Sequence, residues 1–257
     1  MQKLTVIIPT YNEADNLIEL LPLLSWSDEI IVVDSYSNDN TIEIAKKFNA
    51  KILEREYINS ANQKNWVIPQ AKNEWIFLVD ADERPTNALI EEIQELLKKP
   101  DSANNPVAYW IKRDNFFQGK QIRFSGWQND AVIRLFKRDN CRYQEKEVHA
   151  EILTDGTVGK LKARFQHKTY KDMNHFLGKM DRYAAWSAQD YDKKTGRITI
   201  YHLYLKPAFR FFKHFIWQLG FLDGKIGWAI SKIMAGSVYK RYVILTDIRK
   251  KKLSNGI

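Results

Sequence analysis

Trp75-Ile76-Phe77-Leu78-Val79-Asp80-Ala81-Asp82-Glu83-Arg84 is an apolar run of strand length that stops abruptly in three carboxylates. An all-apolar run of this length reads as a strand buried on both faces. Carboxylates crowded at its end repel one another and are most comfortable where a divalent cation or a cationic ligand neutralises them. The same residues would also suit a solvated turn leading into the next helix. The rest of the chain has to choose between these readings.

Upstream the pattern repeats. Leu4-Thr-Val-Ile-Ile8 reads as a buried strand ending in Pro9-Thr-Tyr-Asn-Glu13, and Leu17, Leu20, Leu21 and Leu24 recur at helical spacing from Ala14 onward. Glu29-Ile-Ile-Val-Val-Asp34 is a second buried strand, followed by a polar loop and a helix over 41–48. Residues 51–54 form a short third strand, residues 61–71 a helix, and Thr86 caps a helix that runs to about Lys98 and stops before Pro100. Strands alternating with helices predict βαβ units and a parallel sheet covered on both faces. Ligands of such sheets bind at the carboxyl ends of the strands, and that rim carries Glu13, Asp34, Asp80 and Asp82. Three different strands deliver acids to one edge, which favours a site over a solvated turn.

The rim carries neither the Gly-x-Gly-x-x-Gly dinucleotide fingerprint nor a Gly-x-x-x-x-Gly-Lys-Ser/Thr phosphate loop. A phosphate-bearing ligand must then be held through metal and side chains: Asp82 for a metal, Lys64 and Arg84 for oxygen anions. Tyr11 could stack on a base, and Asp34 could accept from a base imide or a ribose hydroxyl. The set suits a metal-bound nucleoside diphosphate.

Val6-Ile-Ile-Pro-Thr-Tyr-Asn-Glu13, Ile31-Val-Val-Asp34 and Leu78-Val-Asp-Ala-Asp-Glu83, in this order and spacing, resemble the nucleotide-binding half of the inverting GT-A glycosyltransferases of family 2. The resemblance implies an α/β fold of GT-A type: a Rossmann-like nucleotide-binding half with a mixed central sheet, here followed by C-terminal amphipathic helices. It further implies that Asp80 faces the ribose and diphosphate of a UDP-sugar and that Asp82 holds Mg²⁺ or Mn²⁺. Pro9, Tyr11, Glu13 and Asp34 fall on positions around the nucleoside, and Lys64 on a basic position near the uracil and phosphates.

Beyond Val107 the alternation loosens. Aromatics beside a carboxylate suit a sugar, and of the two candidates Trp110 is read as core and Trp127, in a loop beside Gly126, as part of the site. An inverting transfer needs one base for the attacking hydroxyl. Asp130 is the candidate, with Glu147 and Glu151 as competitors. Asp130 lies between the Gly126-Trp127 segment and Arg134-Leu-Phe136, an order resembling the family-2 subgroup that builds the inner core of lipopolysaccharide with glucose as donor sugar. Trp127 and Arg134 are accordingly placed on the acceptor side. The Val-His-Glu of that subgroup appears here as Val148-His149-Ala150-Glu151. His149 either closes the metal site, meets a phosphate or is a satisfied structural residue.

The 257 residues, 44% of them hydrophobic, suffice for a full core. The pattern divides into 1–100 (nucleotide-sugar-binding half), 101–199 (acceptor half) and 200–257 (a basic helical tail). One cysteine, Cys141, suits a reducing compartment. No secretory signal and no spanning segment is read, so a cytosolic location is expected, peripheral on the inner membrane. The net charge of +9 sits entirely in the last fifth of the chain, where residues 200–257 hold eleven Lys or Arg against two Asp. Lys206, Arg210 and Lys213 fall three and four apart as a cationic stripe, and Phe209, Phe212, Phe215, Ile216 and Leu219 cover much of the remaining surface. This predicts an amphipathic segment on an anionic membrane, with attraction of about 1 kcal/mol per charge. A helix pair packed into the core with a solvated basic face is the alternative. Nucleic-acid binding through the tail lacks any accompanying recognition motif, and a nucleotidyltransferase lacks its Gly-rich basic loop. The reading is therefore a metal-dependent transferase that moves a hexose onto a lipopolysaccharide core heptose or another bacterial glycolipid.

Overall fold

The computed structural model describes every residue except Met1, Asp101, Ala103, Glu147–His149, Lys171 and Asn255–Ile257. The first part alternates as expected: β1 (Leu4–Thr10), α1 (Ala14–Leu20), β2 (Glu29–Asp34), α2 (Thr41–Lys47), β3 (Lys51–Glu54), α3 (Ser60–Val67) and β4 (Trp75–Leu78). These strands pair in parallel in the order β3-β2-β1-β4. Successive β1 side chains serve opposite faces. Val6 and Ile8 join Leu17, Leu20, Leu21 and Leu24 in one core, while Ile7 joins Ile31, Val33, Ala61, Val67 and Ile68 in another. Both helices predicted to run past a proline are shortened. α1 tightens into a 3-10 turn over Leu21–Leu24 and α3 into one over Ile68–Gln70, at Pro22 and Pro69, because proline has no N–H for the α ladder.

The opening stretch is not one strand. β4 ends at Leu78, the chain turns through Val79–Asp82, and Glu83–Pro85 forms a separate short strand, β5, with all three of its residues buried. Thr86 Oγ1 then caps α4 (Asn87–Lys98), accepting from the Leu89 N–H at 3.2 Å. The remaining strands are β6 (Ala108–Phe117), β7 (Lys120–Ile122), β8 (Ala131–Lys137), β9 (Cys141–Tyr143), β10 (Ile152–Thr154) and β11 (Val158–Tyr170). They extend the sheet as β4-β8-β6-β11-β5. The β4–β8, β8–β6 and β11–β5 pairs are antiparallel, so the sheet is mixed.

By contacts the chain forms two compact units, residues 1–113 with 130–167 and residues 114–129 with 168–257. These cut across the blocks at 100 and 200 suggested by composition, because β8 and most of β11 return to the sheet begun by β1. The second unit is helical, with α5 (Met173–Asp192), α6 (Lys206–Phe212) and α7 (Lys225–Ser254). Phe117, Ile122, Phe176, Met180 and Ile230 form one of its cores, and Ala188, Val238, Tyr242 and Leu245 another. The expected outward cationic stripe is turned inward. The Lys206 ammonium donates to Tyr242 Oη at 2.8 Å and lies over the Tyr242 ring, and Arg210 is half-buried, with burial and the like charge of Arg241 lowering its pKa.

A loop at 123–127 is fastened within this second unit. The buried Asp223 carboxylate accepts from the Arg123 and Phe124 N–H groups, each at 3.1 Å, and from Ser125 Oγ at 2.9 Å. Ser125 N–H donates to the Gln218 carbonyl at 3.1 Å. Gly126 adopts φ +89°, a backbone conformation that glycine takes without strain and other residues rarely adopt. Replacing Asp223 with Ala leaves three donors unpaired and is expected to cost about 2–4 kcal/mol. Asp223→Asn, which keeps one acceptor, is expected to cost less. Thermal unfolding followed by circular dichroism separates the two.

Candidate active site

The parallel register brings Thr10 opposite Asp34 and Ile7 opposite Leu78, so β1, β2 and β4 end on one edge of the sheet. Just past β4 stands Asp80, and around it the structure assembles a charged cluster. Lys64, almost fully buried on α3, reaches Asp80 Oδ1 at 3.2 Å, and Arg134 of β8 bonds the other oxygen. Burial works to raise the Asp80 carboxyl, but Arg134, Lys64 and Arg113 outweigh it and hold it well below the usual carboxylate range. Asp80 is thus an anion throughout the physiological range.

Glu83, the third carboxylate of the opening stretch, is the centre of the cluster. It is fully buried and accepts from Arg134 Nε at 3.1 Å and Nη2 at 2.9 Å, from Arg113 Nη1 at 3.1 Å and from the Asp80 N–H at 3.0 Å. Arg113 extends the chain of charge to Asp130, with Nη2 at 2.7 Å from Oδ1. The backbone repeats the link, since Arg113 N–H donates to the Asp130 carbonyl at 2.9 Å. One arginine therefore sets the position of the candidate base. Its signal in the sequence was only a cation inside a strand, and its partners lie far along the chain.

Asp82 meets a histidine, His167. His167 Nε2 on β11 lies 3.3 Å from Asp82 Oδ2, because β11 pairs with β5 in a register that sets His167 opposite Glu83. Asp82 remains about one-third exposed at its side chain. A carboxylate oxygen and an imidazole nitrogen fit Mg²⁺ or Mn²⁺ when a diphosphate and water fill the other positions. Among the described residues no group of three or more acids, histidines or cysteines gathers around a point. His149 and Glu147 lie outside the described residues. Glu151 is exposed beside β10.

The nucleoside positions are placed as follows. Tyr11 is 58% exposed on the rim and available for stacking. Pro9 is half-buried near the end of β1, and Glu13 precedes α1 and accepts from Asn16 Nδ2 at 2.6 Å. Asp34, expected to meet the base or ribose, is fully buried: it accepts from Ser37 N–H at 2.7 Å, Ser37 Oγ at 2.5 Å and Thr10 Oγ1 at 3.2 Å. It thereby shapes the loop in which Tyr36 takes φ +60°.

Two further candidates are engaged within the protein. Arg84 is buried and donates to the Ala81 carbonyl, Asn16 Oδ1 and Glu19. The Arg134 guanidinium is buried and engaged by Asp80 and Glu83. Trp127 belongs to the second unit, half-buried against Tyr170 and Phe176 with ring centroids at 6.0 and 6.1 Å. Trp110 is partly buried against the sheet core.

Residues 5–154 match the Glycosyl transferase family 2 profile, and the chain belongs to that family. The protein is a glycosyltransferase of GT-A fold. It is 24% identical to an uncharacterized glycosyltransferase of Rickettsia typhi over 99% of this chain and 89% of the relative. It is 25% identical to the lipopolysaccharide core biosynthesis glycosyltransferase LpsC of Rhizobium meliloti over 94% of this chain and 93% of LpsC. Among solved structures, residues 1–349 of Staphylococcus aureus TarS with UDP-GlcNAc align with a TM-score of 0.49 and 14% identity, covering 97% of this chain and 92% of that one.

Because Glu83 is buried and neutralises two arginines, Glu83→Gln should destabilise the first unit by about 3–5 kcal/mol, the cost of leaving a buried charge uncompensated. Tyr11→Ala, at an exposed ring, should leave stability within about 0.5 kcal/mol. Chemical denaturation of the two variants beside the parent protein makes the comparison.

Proposed function

We propose that this protein is a divalent-metal-dependent, inverting hexosyltransferase that moves glucose from UDP-glucose onto a heptose of the lipopolysaccharide inner core, presented at the cytosolic face of the inner membrane. The observation that carries it is the rim cluster, in which Asp80, Asp82, Lys64 and His167 adjoin a separately held carboxylate, Asp130. The similarity to LpsC along nearly the whole chain supports the acceptor class.

In this reading Asp130 takes the proton of the acceptor hydroxyl as that oxygen attacks the anomeric carbon, and the bond from that carbon to the UDP oxygen breaks. Arg113 holds the Asp130 carboxylate in place. Lys64 offers positive charge to the departing diphosphate, and Tyr11 stacks on the base. Asp82 and His167 would hold a Mg²⁺ or Mn²⁺ ion, which supplies Lewis-acid stabilisation of the leaving diphosphate when bound. Asp80, already paired with Arg134 and Lys64, orients the ribose by accepting from a ribose hydroxyl through its remaining lone pairs.

Asp130→Asn is expected to retain UDP binding and to lower transfer about 10²–10⁴-fold. Glu151→Gln, at an exposed position, is expected to leave turnover within a few fold. Asp82→Asn should abolish the gain in UDP affinity produced by Mn²⁺. Calorimetric titration of UDP with and without Mn²⁺, followed by transfer from UDP-glucose to heptose-terminated lipopolysaccharide, reads all three. Full activity of Asp130→Asn would remove that residue as the base. Transfer to none of a panel of core-truncated lipopolysaccharides would remove the acceptor assignment.

A further inference from the structure

The segment 201–217 of the second unit is built inside out. Along it Lys206, Arg210 and His214 recur every four residues, and all three point inward. Lys206 reaches Tyr242, Arg210 is half-buried, and His214 is buried with Nδ1 2.8 Å from the Ser125 carbonyl. The opposite stripe is apolar and faces solvent. Tyr201, Leu205, Phe209, Phe212 and Ile216, spaced four, four, three and four apart, are each between 44% and 59% exposed. Trp217 at its end is 71% exposed. The chain then turns through Phe221 and Leu222 into α7, where Trp228 is also exposed.

A folded protein does not leave a stripe of this size in water without a partner for it. Three features select a lipid interface. The stripe is flanked by Tyr201 and Tyr204 at one end and by Trp217 at the other, the residues whose amphipathic rings settle at headgroup depth. The exposed cations of the adjoining helix α7, Lys225 and Lys232, suit anionic headgroups. Among the described residues no helix is long and apolar enough to cross a membrane, so the segment can only lie in the interface.

We infer that residues 201–217 form a monotopic membrane-insertion face, in which the Tyr201–Ile216 stripe enters the headgroup boundary of an anionic bilayer and apolar burial supplies most of the binding. This deepens the membrane-surface reading above and rests on it. It reverses the weighting that the sequence suggested, since two of the three cations expected to carry the attraction are turned toward α7.

The test is cosedimentation of the full chain with vesicles of phosphatidylcholine alone and with 30% phosphatidylglycerol, at about 0.1 and 0.5 M NaCl, where surface charge is screened over a few ångströms. The parent protein is compared with Phe209→Ser/Phe212→Ser/Ile216→Ser, three exposed positions whose change should leave the circular dichroism spectrum and melting temperature unaltered. The expected result is binding that falls less than about threefold with salt in the parent and at least tenfold in the triple variant. Binding that requires phosphatidylglycerol, vanishes at high salt and is unaffected by the triple substitution would overturn the insertion face while leaving membrane association standing. Absence of binding to any vesicle would overturn both. Sedimentation velocity run alongside addresses the remaining occupant: a dimer that the triple variant abolishes, with no vesicle binding, would assign the stripe to a second copy of this chain.

Discussion

The site depends on one buried carboxylate. Glu83 is the point at which two arginines from different strands, Arg113 and Arg134, and the backbone of Asp80 converge. Charges removed from water persist when paired and hydrogen-bonded, and Glu83 supplies a carboxylate partner to both guanidiniums at once. Each arginine has a further interaction to make. Arg134 directs it to Asp80 and Arg113 to Asp130. Asp80 and Asp130 are therefore held by a common anchor, Glu83, which is fully buried.

This arrangement needs the change of direction in the sheet. The parallel strands β1, β2 and β4 bring the rim residues to one edge, as the βαβ pattern requires. The antiparallel strands β8, β6 and β11 then bring cations and a histidine from later in the chain up to the same edge. Arg134 comes from β8 beside β4, Arg113 from β6 beside β8, and His167 from β11 beside β5. An all-parallel sheet would have placed a crossover helix between each of these strands.

The second unit follows a different logic. Along 201–217 Lys206, Arg210 and His214 turn inward while Phe209, Phe212 and Trp217 face solvent, and the loop at 123–127 is tied by Asp223 and the Gln218 carbonyl to the turn that ends this segment. Composition located the charge excess in this tail but could not say which way the charges face. Lys206 and Arg210 turn inward because Tyr242 and Tyr191 on neighbouring helices offer ring faces and a hydroxyl to them or to their neighbour Arg241, and periodicity contains no information about those partners.

The sequence by itself determined the alternating α/β core, the strand ends that carry Asp34, Asp80 and Asp82, and the cap at Thr86. These follow from local periodicity and from residue types whose conformational preferences act over a few positions. Only the tertiary structure decided that Glu83 is a buried anchor, that Arg84 is buried against Ala81, Asn16 and Glu19, that Asp34 shapes a loop, and that His167 stands beside Asp82. Each of these depends on a partner between 24 and 85 positions away in the chain, brought in by strand pairing between β1 and β2, β4 and β8, or β5 and β11, or by a helix packed on the sheet. Which carboxylate ends up paired, exposed or bound to backbone is settled by what burial places beside it, and that is a property of the packed sheet and not of any one stretch of residues.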